Sequence, residues 1–169
     1  GDMKHCIFGL ILGLTAIFTQ AAPAHVHGEA RMEISIEREQ LVIALEIPLD
    51  SLLGFEHAPR NAREREVVQG MAAKLREAGK VLMPSVAAQC KLTGVELDSP
   101  VFGGKAEPGK HNDLDARYTW HCAKAEALRD VATGLFADFP KLRRITVEFA
   151  GPQGPRAGRL GARKPGFNW

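Results

Sequence analysis

The chain has 169 residues, of which 45% are hydrophobic and 25% charged, and its formal net charge is +2 at pH 7. That length suits one ordinary domain with a buried core. It has no block of like charge and no interleaving of basic with aromatic residues, which argues against a nucleic-acid surface or an anchor to acidic membrane.

The chain opens in three zones. Met3-Lys4-His5 is a short basic start, Cys6 to Phe18 is almost wholly apolar, and Ala22-Pro23-Ala24 offers the small-x-small pattern that signal peptidase cleaves. The apolar run is shorter than the ~20 residues that a membrane span needs. Residues 1–24 are therefore expected to be a secretory signal cleaved after Ala24, with Gly1-Asp2 a cloning scar. The remaining chain would work in a periplasm with no membrane attachment. Cys6 would leave with the signal, and Cys90 and Cys122 would stay. An even pair in an oxidising compartment points to a disulfide. Two buried free thiols and a zinc thiolate pair are the other readings, the latter without the support of any CxxC element.

In the mature region, Ala30, Met32, Ile34 and Ile36 alternate with charged or polar residues, and Leu41, Ile43, Leu45 and Ile47 repeat the pattern up to Pro48. This is a half-buried hairpin. A loop follows from Asp50 to Arg60. Asn61 with Glu64 reads as a helix cap, Val67, Val68, Met71, Leu75 and Ala78 as a helical stripe, and Gly79 as a stop, so a helix is predicted over 61–78. Cys90, Leu92, Val95 and Leu97 predict a strand whose change of face at Gly94 reads as a bulge. After a Gly/Pro/Lys-rich loop, Ser99 to Lys110, the alternation of Leu114, Ala116, Tyr118, Trp120 and Cys122 predicts another strand.

Leu128, Val131, Leu135 and Phe139, closed by Pro140, predict a second amphipathic helix, and Ile145, Val147 and Phe149 a further strand. The order ββα-ββαβ predicts an α+β fold: an antiparallel sheet with two helices on one face, occupying residues 25–150. The Gly/Pro/Arg-rich stretch from Gly151 to Trp169 is expected to be a loose arm or a short edge strand. Cys90 and Cys122 fall on inward faces of strands that could be neighbours, which favours the disulfide.

Histidine placement carries the chemistry. Cleavage after Ala24 would expose His25-Val26-His27-Gly28, two imidazoles beside a free amine. That set suits square-planar copper or nickel, and the imidazoles alone suit tetrahedral zinc. His111 and Asp113 stand at the entry of a strand, where residues i and i+2 share a face about 6.5–7 Å apart. His57, in Gly54-Phe55-Glu56-His57-Ala58-Pro59, is either a turn-holding residue or a further ligand. His121 lies at the far end of the same predicted strand, roughly 33 Å from His111 at strand rise, too far to share an ion. HExxH, GxSxG and phosphate-loop signatures are missing and no carboxylates pair as acid and base, so no enzyme is expected.

The chain resembles the ZrgA family of zinc-regulated periplasmic proteins. The likeness rests on His25-Val26-His27-Gly28-Glu29-Ala30, on Leu52-Leu53-Gly54-Phe55-Glu56-His57-Ala58-Pro59, on Cys90-Lys91-Leu92, and on His111 to Tyr118 with Cys122 following. The resemblance implies a soluble zinc-binding protein that assists zinc import beside a zinc ABC transporter or its solute-binding protein. Members often carry a histidine-rich tract in the loop before the last of these blocks. Here Phe102 to Lys110 holds no histidine, so the resemblance leaves the metal to His25, His27, His111 and Asp113, with His57 as a candidate.

Overall fold

The computed structural model describes residues 26–103, 105–107, 109 and 111–169. The signal reading of residues 1–24, and His25, lie outside them. β1 (Glu29–Glu37) and β2 (Gln40–Pro48) form the expected hairpin, with Arg38 in the left-handed region at φ 55° in the turn. A short helix α1 (Leu49–Leu53) follows directly. α2 (Ala62–Arg76) starts as its sequence predicts: Asn61 Oδ1 accepts from the Glu64 N–H at 2.9 Å, and the Glu64 carboxylate accepts from the Arg60 N–H at 2.7 Å. It buries Val68, Met71, Ala72 and Leu75. The helix ends before Gly79, which instead sits inside the separate single turn α3 (Ala78–Val81).

The rest of the chain is strand-rich. β3 (Leu82–Pro84), β4 (Cys90–Asp98), β5 (Asp113–Cys122) and β6 (Asp130–Thr133) precede a single helical turn, α4 (Leu135–Asp138). β7 (Arg144–Ala150), β8 (Arg156–Leu160) and β9 (Gly166–Asn168) complete the chain. Six strands form one sheet in the order β4-β5-β2-β1-β7-β8, and β3-β6-β9 form a second, smaller sheet. The fold is mixed α/β with strands dominant. Every neighbouring pair is antiparallel except β1 and β7, which run parallel and so depart from the all-antiparallel expectation.

One face of the large sheet makes the core. Met32, Ile34, Ile43, Leu45, Tyr118 and Val147 are all buried on it. Tyr118 reaches across to α2, its hydroxyl donating to the Leu75 carbonyl at 2.6 Å, and burial pushes its phenol well above the usual range. Elsewhere that face is covered by the small sheet: Phe149 of β7 packs on Phe167, and stacks on Trp169 with centroids 4.6 Å apart.

The predicted second helix is therefore a correction. Leu128, Val131, Leu135 and Phe139 are all buried, so their spacing did mark the core. The chain buries them as a strand followed by one helical turn. Two things break the helix. Gly134 approaches the backbone so closely that a Cβ there would lie 2.3 Å from the Lys80 carbonyl oxygen. Thr133 gives its N–H to Pro165 and its hydroxyl to the Val81 carbonyl, partners in other segments of the chain. The tail, expected as an arm or edge strand, supplies both β8 at the large sheet's edge and β9 in the small sheet.

The bulge falls where the change of face predicts it, with a register shift between Leu92 and Gly94. Cys90 and Cys122 stand directly opposite each other on β4 and β5 and are joined by a disulfide. The bridge spans 32 residues of sequence. In the chain-entropy account a loop of that size stabilises the fold by about 3–4 kcal/mol. Replacing both cysteines by serine should lower the unfolding free energy by about that amount, read from urea denaturation with and without the bridge.

Candidate metal centre

Three strand ends meet at one end of the large sheet, in its interior strands. In register, Arg31 faces Glu46, Pro48 faces Asp113 and Glu29 faces Arg144. The start of β1, the end of β2 and the start of β5 therefore lie side by side. His27 stands two residues before β1, Asp50 two residues after β2, and His111 two residues before β5. Antiparallel pairing alone gathers side chains that are far apart in sequence.

Local structure then aims them. Val26 to Glu29 is a tight turn closed by Glu29 N–H to the Val26 carbonyl at 3.1 Å. Gly28 adopts φ +81°, and a Cβ there would press on the Lys141 carbonyl oxygen at 3.2 Å, so the turn demands glycine. Its carbonyl accepts from the N–H groups of Arg143 and Arg144, and its own N–H donates to Ser51 Oγ at 3.1 Å. Asp50 lies in the first turn of α1, whose leading N–H, on Leu49, is taken up by the Asn112 carbonyl at 2.9 Å. Gly54 ends α1 in the left-handed region at φ +83° and turns the chain back toward Glu56. The Glu56 carbonyl accepts from Asn112 Nδ2 at 3.0 Å, which ties this loop to the segment carrying His111.

The outcome is two imidazoles over two carboxylates. His27 Nδ1 contacts Asp50 Oδ2, and His111 Nδ1 lies 3.2 and 3.4 Å from the two Glu56 carboxylate oxygens. The His27 and His111 rings meet edge to face with centroids 5.2 Å apart. The imidazoles are more than half exposed, while the Asp50 and Glu56 side chains are only 25% and 20% exposed beneath them. His27, Asp50 and Glu56 each offer a ligand atom within 4.8 Å of the others. Tetrahedral zinc with bonds of about 2.0–2.2 Å needs ligand atoms roughly 3.4 Å apart. Imidazole nitrogen and carboxylate oxygen are both zinc donors, so the residues fit that ion.

The sequence-predicted residues divide accordingly. His27 and His111 come together. Asp113, which opens β5 opposite Pro48 and whose carbonyl accepts from Ser99 Oγ at 2.9 Å, is outside the His27–Asp50–Glu56 group. His57 donates from Nδ1 to the Ala58 carbonyl at 2.9 Å, stacks on Phe55 and lies 3.8 Å from Glu64, contacts that hold the loop into α2. His121 is at the opposite sheet end, 3.6 Å from Glu39. Asp50 and Glu56 were not among the predicted ligands. Their signal was available only as two carboxylates in the one loop adjoining the hairpin.

A family model described as ZrgA family zinc uptake protein matches residues 24–169. No curated protein matches the chain.

The hydrogen bond to Asp50 raises the His27 pKa above its ordinary 6.5, aided by the negative charge of Asp50 and of Glu56. The sign follows: the imidazolium–carboxylate contact supports the fold fully below the unfolded pKa and fades as pH climbs through the raised folded value. In metal-free protein an NMR titration should place His27 above 6.5, and Asp50→Asn should bring it back toward 6.5.

Proposed function

The chain belongs to the ZrgA family of zinc uptake proteins, and from that premise we propose that it is an exported zinc-binding protein that carries its ion at one end of the large sheet. The observation that carries this reading is the convergence of His27, Asp50 and Glu56, with His111 against Glu56. Zinc is the cargo. Two imidazoles and two carboxylates form a mixed nitrogen–oxygen set of the kind zinc takes, and the carboxylates balance its charge. His25, two residues ahead of His27, is placed in sequence to add a further nitrogen.

Export is supported by the disulfide between Cys90 and Cys122, because such bonds persist in oxidising compartments. Among the described residues no helix is long and apolar enough to cross a membrane. The exposed position of the imidazoles suits a protein that passes zinc on, and the receiver in this reading is a zinc ABC transporter or its solute-binding protein. The chain acts by binding and release, with no chemical step.

Titration calorimetry on untagged protein cleaved after Ala24 tests the reading. The His27→Ala, His111→Ala double variant should bind zinc at least about tenfold more weakly, a loss that even outer partners of metal sites produce. His121→Ala should change nothing, since its ring lies at the other end of the sheet. Equal affinity in the wild type and the double variant would sink the proposal.

A further inference from the structure

Ser51 is buried, only 2% exposed, and yet polar. It follows Asp50 in α1, and its hydroxyl faces two groups of the candidate centre. Oγ accepts from the Gly28 N–H at 3.1 Å and lies 3.4 Å from Asp50 Oδ1. A hydroxyl has one proton to give. With Gly28 donating to it, that proton points to Asp50. The contacts close a circuit: the His27 ring touches Asp50 Oδ2, Asp50 Oδ1 meets Ser51, Ser51 holds Gly28, and Gly28 is bonded through the backbone to His27. Buried as it is, the hydroxyl meets little competition from water.

We propose that Ser51 is the positioning residue that makes Asp50 a one-oxygen ligand and so sets the metal preference of the site. The proposal rests on reading His27, Asp50 and Glu56 as a zinc centre. With the Ser51 hydroxyl turned to Oδ1, Asp50 offers Oδ2, the oxygen already against the His27 ring, as its freer donor. Four-coordinate zinc is served by one oxygen per carboxylate. Calcium takes six to eight oxygens, from carboxylates that bind through one oxygen or both, so a carboxylate held to one oxygen supplies fewer of the oxygens it needs. Ser51 touches no ion. It acts through Asp50 and through the turn that carries His27.

The test compares untagged wild type, Ser51→Ala and Asp50→Asn. Ser51→Ala should weaken zinc binding about tenfold, as loss of an outer partner does, and should narrow the gap between zinc and calcium. With cobalt(II) in place of zinc, its visible bands should lose intensity, because a chelating Asp50 raises the coordination number. In metal-free protein, NMR contacts between the His27 ring and the Asp50 methylene protons should disappear. A residue that merely packs α1 would lower thermal stability and leave the cobalt spectrum and those contacts as in the wild type, which overturns the proposal. Lost contacts in Ser51→Ala, together with unchanged zinc binding in Asp50→Asn, would uphold the positioning of Asp50 and overturn the zinc reading by itself.

Discussion

The antiparallel register of β1, β2 and β5 decides which side chains meet. Ile34 faces Ile43, and Ile43 faces Tyr118, and all three are buried. A slip of one residue in either pairing would turn an apolar row outward and a charged row inward. The core therefore locks the register, and the register sets which residues lie just beyond the strand ends. His27, Asp50 and His111 owe their proximity to hydrophobic burial some distance from them. The core beneath the candidate site sets which side chains meet there, although the imidazoles are exposed.

What the sequence made legible was whatever repeats locally. Period-two alternation marks β1, β2 and β5, the Asn61–Glu64 pair marks the start of α2, and the change of face at Gly94 marks the bulge. The two cysteines share the inward side of their strands and are bonded. Contacts over long separations were not legible. Glu56 meets His111 across 55 residues, and Asp50 meets His27 across 23. No spacing rule reaches that far, so His111 was paired in sequence with Asp113, its neighbour two residues on. The second helix failed for a related reason. A spacing of three to four between Leu128, Val131, Leu135 and Phe139 records burial, and burial is satisfied equally by a strand and a turn once Thr133 finds partners in other segments of the chain.

Charge is layered at the candidate site. The carboxylates of Asp50 and Glu56 lie partly buried beneath, contacted by the His27, Ser51 and His111 side chains, and the imidazoles sit over them toward water. In the absence of an ion, a proton on His27 satisfies Asp50. In the proposed function, zinc would compete with a proton for the ring, because only the neutral imidazole is a ligand. The same carboxylate would then serve two cations in competition, with the acidity of the surroundings setting the balance between them.

The disulfide is at the other end of the ladder. β5 begins beside the candidate metal site and finishes at Cys122, which is bonded to Cys90 and gives its N–H to the Glu39 carbonyl. The ladder therefore behaves as a zip with its stop at one end. Local opening is easiest where backbone pairs end in loops, and a covalent stop directs that fraying to the opposite terminus. Here that terminus holds His111. If the proposed site holds zinc, β5 loosens its grip there while its alignment is remembered at the bridge, so that closing again restores the same neighbours.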